Sequence, residues 1–163
     1  MDFITTTYLV FMFIALYMFS FFIILTFRNR KVLFSYPTPR EDFFISVIIP
    51  AYNEENSVEE TIKHVYDSDY PKDNFEIIVV NDGSKDRTAE VVGKLLKKYK
   101  NLRLINKKNS GKADSLNVAI AKAKGELIAV VDSDSFPDKD SLRKLSGYFS
   151  DENMAAVTSF VGV

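Results

Sequence analysis

The sequence predicts an α/β protein, a mostly parallel sheet with helices on both faces, preceded by one transmembrane helix. Three observations carry that expectation. An uncharged run of 25 residues extends from Phe3 to Phe27. Beyond it, four short apolar runs, three of them rich in β-branched residues, each precede a stretch with helical spacing. Three of those runs end abruptly in polar residues, at the position where open parallel sheets bind ligands.

Composition narrows the function classes. With 163 residues, 47% hydrophobic and 26% charged, the chain is too apolar to stay disordered. The absence of cysteine removes disulfide scaffolds, thiolate metal sites and cysteine nucleophiles. A single histidine, His64, leaves no histidine metal pair and weakens any Ser/His/Asp arrangement. The net charge of −1 offers no basic face, so no nucleic acid is expected as a partner.

The Phe3 to Phe27 run holds seven of the 14 phenylalanines. As a helix it would reach roughly 37 Å, enough to cross a hydrocarbon core of ~30 Å. A cleaved signal peptide would want a basic start, a shorter apolar core and a small-residue cleavage site. Here Asp2 precedes the run, and Arg28, Asn29, Arg30 and Lys31 follow it. Residues 1–27 are therefore expected to be a single-pass signal anchor in the lipid bilayer, and a buried core helix is the alternative. The positive-inside rule puts the amino terminus outside and the rest in the cytoplasm. Residues 28–43, with Pro37 and Pro39, are expected as a juxtamembrane linker, and 44–163 as the folded domain.

Within that domain Ile45 to Pro50 reads as a buried strand, and Ser57-Val-Glu-Glu60 as a capping box opening a helix with Val58, Ile62 and Val65 inward. Phe75 to Val80 is a second strand, followed by the turn Asn81-Asp-Gly-Ser84 and a helix from about Thr88 to Tyr99. Leu102 to Ile105 is a weaker strand, and the turn Asn109-Ser-Gly111 leads into a helix over Ala113 to Ala123. A fourth strand spans Leu127 to Val131, a helix Leu142 to Phe149, and another apolar extended run begins at Met154 and reaches Val163.

The chemistry gathers at the strand ends. In Asp132-x-Asp134, extended backbone would point both carboxylates one way and Ser133 aside. Two close carboxylates repel unless a cation lies beside them, and Mg²⁺ or Mn²⁺ suits a site of two carboxylates completed by phosphate and water. The alternative is a solvated turn with Asp138 capping the next helix. Asp82 could accept hydrogen bonds from a nucleobase or ribose, or simply close an Asx-turn. Asn53 and Glu54 could cap a helix, while Glu54 also points to the same crevice. Gly111-Lys112 opens a helix where an ammonium and free N–H groups can meet phosphate, without the spacing of a Walker loop. His64 is expected at the surface.

Together these segments resemble family-2 glycosyltransferases with the Rossmann-like GT-A nucleotide-sugar-binding fold. The resemblance rests on Ser46-Val-Ile-Ile-Pro-Ala-Tyr-Asn-Glu-Glu55, Ile78-Val-Val-Asn-Asp-Gly-Ser84 with Asp86-Arg-Thr88, Gly111-Lys-Ala-Asp-Ser-Leu-Asn117 and Val130-Val-Asp-Ser-Asp134. With an anchor in front, the chain looks most like the membrane-bound branch that makes cellulose, chitin, hyaluronan and poly-N-acetylglucosamine. The resemblance implies that Pro50, Tyr52 and Glu54 line a nucleoside pocket and that Asp82 binds the base. It implies that Lys112 approaches the nucleotide, while Asp132 and Asp134 hold the ribose and a Mg²⁺ or Mn²⁺ ion. The implied donor is a UDP- or GDP-sugar, passed to an acceptor hydroxyl with inversion and in a polysaccharide-forming reaction.

Such a transfer also needs a general base. In the family it follows later in the chain, as does a Gln-x-x-Arg-Trp motif. Asp138, Asp140, Asp151 and Glu152 do not match the base, and the sequence has no tryptophan. No catalytic residue is therefore assigned. The acceptor half is expected to be missing, the chain being either a truncated product or one completed by a second polypeptide. A non-catalytic nucleotide-sugar-binding or partner-docking membrane protein is the alternative. A nucleotidyltransferase would need a Gly-rich loop after the first strand, and none is present.

Overall fold

The structure, a computed structural model, describes residues 2–33 and 37–159. It divides into two compact units, Met1–Tyr36 and Pro37–Val163. The first is one helix, α1 (Phe3–Leu33), of 31 residues. It is long and apolar enough to cross a membrane. Its threonines bond within the helix: Thr5 N–H donates to Asp2 Oδ1 at 2.9 Å. The Thr7 and Thr26 hydroxyls donate to the Phe3 and Phe22 carbonyls at 2.8 and 2.9 Å. The helix continues through Arg28 to Leu33, into the stretch expected as linker. Arginine and lysine are good helix formers, so loss of apolarity does not end it.

The second unit is built on four parallel strands: β1 (Ile45–Ala51), β2 (Phe75–Asp82), β3 (Leu102–Lys107) and β4 (Leu127–Val130). They pair in the order β3-β2-β1-β4, with Ile45 opposite both Phe75 and Leu127, and Ile77 opposite Leu102. Burial explains why the sequence shows two strong runs and two weaker ones. Every residue of the central strands β1 and β2 is buried, whereas the edge strands β3 and β4 are covered only in part.

Helices cover both faces. On one, Val47, Ile49, Ile77 and Val79 pack with Val58, Ile62 and Val65 of α2 (Val58–Tyr66) and Val92 and Leu95 of α3 (Thr88–Leu95). Leu142 of α5 (Ser141–Gly147) joins the same cluster. On the other face, Ile48, Ile78 and Val80 pack with Ala119 of α4 (Lys112–Ile120). Each buried valine or isoleucine contributes about 1.5–3 kcal/mol. This face is thinner, and Ile120, Ile128 and Val130 stay exposed beside it.

Several local expectations change. The capping box does not form: Ser57 makes no cap hydrogen bond, because its hydroxyl donates to Glu54 Oε2 at 2.6 Å instead. The turn after β4 is not followed by an Asp138 cap; α5 begins after Asp140, without a side-chain cap bond. Residues 154–159 form no strand, since none of the described strands pairs with them, and 160–163 lie outside the described residues. Pro37 to Phe43, expected as linker, is tied to the folded unit: Arg40 N–H donates to the Arg143 carbonyl at 3.2 Å, and Tyr70 hydroxyl to the Phe43 carbonyl at 2.7 Å.

A polar network fastens the strand starts. Glu76 and Ser46 are register partners on β2 and β1, and both are buried. The Glu76 carboxylate accepts from Ser46 Oγ at 2.8 Å, Arg103 Nη1 at 2.8 Å and Lys124 N–H at 2.8 Å. Burial pushes its carboxyl up, but these donors outweigh that and hold it below the usual carboxylate range. Beside it Gly125 leaves no room for a side chain, because a Cβ there would lie 2.4 Å from Ser46 N and 2.7 Å from the Leu127 carbonyl.

Two expected outcomes follow for the full chain in detergent, read by urea unfolding. Glu76→Ala lowers stability by about 2 kcal/mol, because the buried Ser46 hydroxyl and the Lys124 amide lose their acceptor, and Glu76→Gln by less. Gly125→Ala costs about 2 kcal/mol through overpacking against backbone that cannot yield.

Candidate functional site

The loops after β1 and β2 are stitched together. Asn53 adopts a left-handed conformation (φ 58°), which asparagine tolerates better than most residues. Its N–H donates to Ser84 Oγ at 3.0 Å, and its Oδ1 accepts from Lys85 N–H at 2.8 Å. Glu54 N–H donates to Thr88 Oγ1 at 2.8 Å, and Glu55 N–H to Asp86 Oδ2 at 3.1 Å. Glu55 Oε2 in turn accepts from Arg87 N–H at 2.9 Å. Burial raises the Asp86 carboxyl, but the Thr88 hydroxyl and amide and the Glu55 amide bring it below its ordinary value. This stitching fixes the backbone from which Tyr52 and Glu54 project. Neither Ser84, Thr88 nor Asp86 was singled out for it from the sequence alone.

Asp82 ends β2 and is buried, at 4% exposure. Its carboxylate is fully engaged: Lys107 Nζ donates to it at 2.6 Å, Ser110 N–H at 3.0 Å and Gly111 N–H at 2.8 Å. Desolvation raises its pKa, but these three donors prevail and hold it below the ordinary aspartate value. Asp82 does not close the Asx-turn offered as its alternative role; the loop is held instead by Ser84 N–H donating to Asn81 Oδ1, three residues back, at 3.1 Å. Lys107 is the residue that the sequence reading missed. At a strand end it resembles any solvated lysine, yet it also pairs with Asp114 at 3.0 Å. Gly111 sits at φ 95°, where a side chain would be strained, and its conformation turns the chain into α4.

The Asp132-Ser-Asp134 segment is not extended. Ser135 N–H donates to the Asp132 carbonyl at 3.0 Å and closes a turn just beyond β4. The buried Thr61 hydroxyl of α2 donates to the Ser133 carbonyl at 2.8 Å and pins that turn. Ser133, buried between the two exposed carboxylates, borders the same cleft. Lys112, the first residue of α4, reaches Asp132 Oδ1 at 2.5 Å.

The result is one open cleft of about 230 Å³ at the carboxyl ends of the strands. Pro50, Tyr52, Glu54, Asp82, Lys112, Asp132 and Asp134 all line it, together with Ala51, Ser115 and Ser133. Asp138, Asp140, Asp151 and Glu152 do not, and His64 is exposed on α2 with its ring 5.3 Å from that of Phe136. Among the described residues no cluster of three or more metal-binding side chains occurs. A pair of exposed carboxylates, one already facing an ammonium, could hold a hard cation that takes its other oxygens from phosphate and water.

Comparison with known proteins agrees with this geometry. The sequence matches the family described as Glycosyl transferase family 2 over residues 46–163. It is 40% identical over 118 residues to the probable glycosyltransferase YdaM of Bacillus subtilis, covering 69% of this chain and 28% of that protein. It is 41% identical over 113 residues to a dolichyl-phosphate beta-glucosyltransferase, ALG5D, of Trichomonas vaginalis, covering 65% and 35%. The mannosyltransferase PcManGT of Pyrobaculum calidifontis, solved with GDP-Man and Mn²⁺, superposes with a TM-score of 0.70 at 30% identity, over 79% of this chain and 40% of that one. TarS of S. aureus, residues 1–349 with UDP-GlcNAc, gives 0.60 at 36% identity, over 65% and 31%. The chain thus spans about a third of the length of these two curated relatives. A GT-A-like parallel sheet, a polar cleft at its carboxyl edge and a family match over most of the chain lead to one conclusion: this chain belongs to glycosyl transferase family 2.

Proposed function

We propose that the cleft binds the nucleoside diphosphate of a UDP- or GDP-sugar together with Mg²⁺ or Mn²⁺, as the donor-binding part of a membrane-anchored glycosyltransferase. The observation that carries this reading is the convergence of Asp82, Lys112, Asp132 and Asp134 on one cleft from three strand ends. PcManGT and TarS, solved with GDP-Man and Mn²⁺ and with UDP-GlcNAc, support the choice of ligand class.

Each residue then has a part. Pro50 and Tyr52 flank the nucleoside, with the exposed Tyr52 ring free to stack on it. Glu54 and Asp82 face the base and ribose; Asp82, already accepting from three donors, acts mainly by holding the Gly111 turn that borders the nucleotide. Lys112 leaves Asp132 and pairs with phosphate as the donor enters. Asp132 and Asp134 would hold the metal, which when bound neutralises charge on the departing nucleoside diphosphate.

At about 230 Å³ the cleft is smaller than the ~300–1,000 Å³ of a complete small-molecule site. We assign no general base to these residues. The acceptor-binding groups come from polypeptide outside them, in the same or a second chain, consistent with the share of its relatives that this chain covers. Helix α1 spans the bilayer once with the amino terminus outside, residues 1–27 acting as anchor and 44–163 as the donor domain. The uncharged run Phe3 to Phe27 of α1 and the basic Arg28, Arg30 and Lys31 that follow that run within the helix support this placement in the membrane-bound synthase branch.

Titration calorimetry on the full chain in detergent is expected to show UDP or GDP binding that requires Mn²⁺ or Mg²⁺. Asp132→Asn with Asp134→Asn should weaken the metal-dependent part at least about 10-fold, a loss of ~1.4 kcal/mol. Affinity unchanged by chelator would contradict the reading. Acid unfolding gives a second check. Asp82 titrates lower folded than unfolded, so its contribution is present above the unfolded value of ~3.9 and is lost as pH falls through the lower folded one. The stability gap between the native chain and Asp82→Asn is therefore expected to hold from neutral pH to about 5 and to close below about 4.

A further inference from the structure

One buried side chain outside the donor cleft reaches the turn that carries both of its metal-facing carboxylates. Thr61 is fully buried in α2, on the face that packs Val58, Ile62 and Val65 into the core. A helical threonine or serine commonly turns its hydroxyl back to the carbonyl four residues earlier. Thr7, Thr26 and Ser115 do so, at 2.8, 2.9 and 3.1 Å. For Thr61 that acceptor, the Ser57 carbonyl, lies at 3.4 Å, while the Ser133 carbonyl lies at 2.8 Å, 72 residues further along the chain. A hydroxyl has one proton, and the shorter bond takes it.

Core packing does not call for that bond. Valine, of nearly the same shape, would suit a site beside Val58, Ile62 and Val65 and would leave no polar atom to satisfy. The turn borders solvent, with Asp132, Asp134 and Ser135 exposed, so a Ser133 carbonyl released from Thr61 could meet water instead. What the bond opposes is electrostatic. Asp132 and Asp134 lie on either side of Ser133, and like charges held this close push the turn open. Lys112 faces Asp132 at 2.5 Å, whereas Asp134 takes part in none of the ion pairs among the described residues. The bond that closes the turn, from Ser135 N–H to the Asp132 carbonyl at 3.0 Å, lies between two exposed residues. Thr61 supplies the buried one.

We infer that Thr61 is a positioning residue for the divalent cation: by holding the Ser133 carbonyl it sets the spacing at which Asp132 and Asp134 receive the metal. The inference rests on the proposed metal-assisted donor site and adds to it a residue that does not line the cleft. Acting only through the turn, Thr61 favours the metal-bound states over the metal-free ones. Its loss therefore lowers the affinity for metal, while the affinity for nucleotide once metal is bound stays the same. One hydrogen bond corresponds to a change of about five-fold.

Thr61→Val, which keeps the shape, and Thr61→Ser, which keeps the hydroxyl, test this in the full chain in detergent. Calorimetry with UDP or GDP at saturation gives the affinity for Mn²⁺, and with Mn²⁺ at saturation it gives the affinity for the nucleotide. Thr61→Val is expected to weaken Mn²⁺ binding about five-fold and to leave nucleotide binding at saturating Mn²⁺ unchanged, while Thr61→Ser stays close to the native chain in both. Without metal or nucleotide, the Ser135 amide should exchange faster in Thr61→Val than in the native chain or Thr61→Ser, with the amides of β1 still protected. Mn²⁺ affinity unchanged in Thr61→Val overturns the assignment. So does nucleotide affinity that falls in step with it, because a general loosening of the cleft would move both. Should Thr61→Val not fold, Thr61→Cys, with a weak donor in a similar space, is held to the same outcomes. A native chain whose nucleotide binding ignores Mn²⁺ and Mg²⁺ overturns the proposed metal site and this role with it. Metal dependence that is present in the native chain and fully kept in Thr61→Val overturns the role of Thr61 alone.

Discussion

One buried carboxylate organises the cleft. Asp82 leaves the end of a central strand with an ammonium and two backbone amides directed at its oxygens. A buried aspartate without them would be costly by several kcal/mol, so the chain is driven to bring residues 107–111 across to it. That closure sets Gly111 in its left-handed conformation and starts α4 at Lys112, whose side chain then meets Asp132 across the cleft. The second strand end is thereby coupled to the fourth.

The same logic operates twice more. At the first strand end, Asn53, Glu54 and Glu55 use backbone amides and side-chain oxygens to bind the loop after β2. At the fourth, Thr61 reaches from α2 to hold the turn between Asp132 and Asp134. Apart from the buried Thr61 bond these lie on exposed or half-buried loops, and each contributes only about 1 kcal/mol to stability. Their larger effect is to preorganise the cleft, sparing a ligand the cost of ordering three loops on binding.

Much of this was legible in the sequence. The four strands and the order of strand and helix follow from apolar runs that two central, doubly covered strands must show. All the residues expected in the crevice line one cleft, because parallel strands deliver their carboxyl ends to the same edge. What failed depended on choices between nearby partners. Ser57 had Glu60 and Glu54 within reach, and it bonds Glu54. Asp132 to Asp134 follow a strand, yet they turn rather than extend. Lys107 could not be recognised, because its partner Asp82 is 25 residues away and strand register alone brings them side by side.

The central claim is that the Asp82 carboxylate holds the Gly111 turn in place before any ligand arrives. Amide hydrogen exchange followed by NMR on the ligand-free chain tests it most directly. The account predicts that the Ser110 and Gly111 amides are protected at neutral pH, although Gly111 is exposed, and that Asp82→Asn strips most of that protection while the amides of β1 keep theirs. Ser110 and Gly111 amides that exchange in the native chain at the rate of an unstructured loop would contradict it.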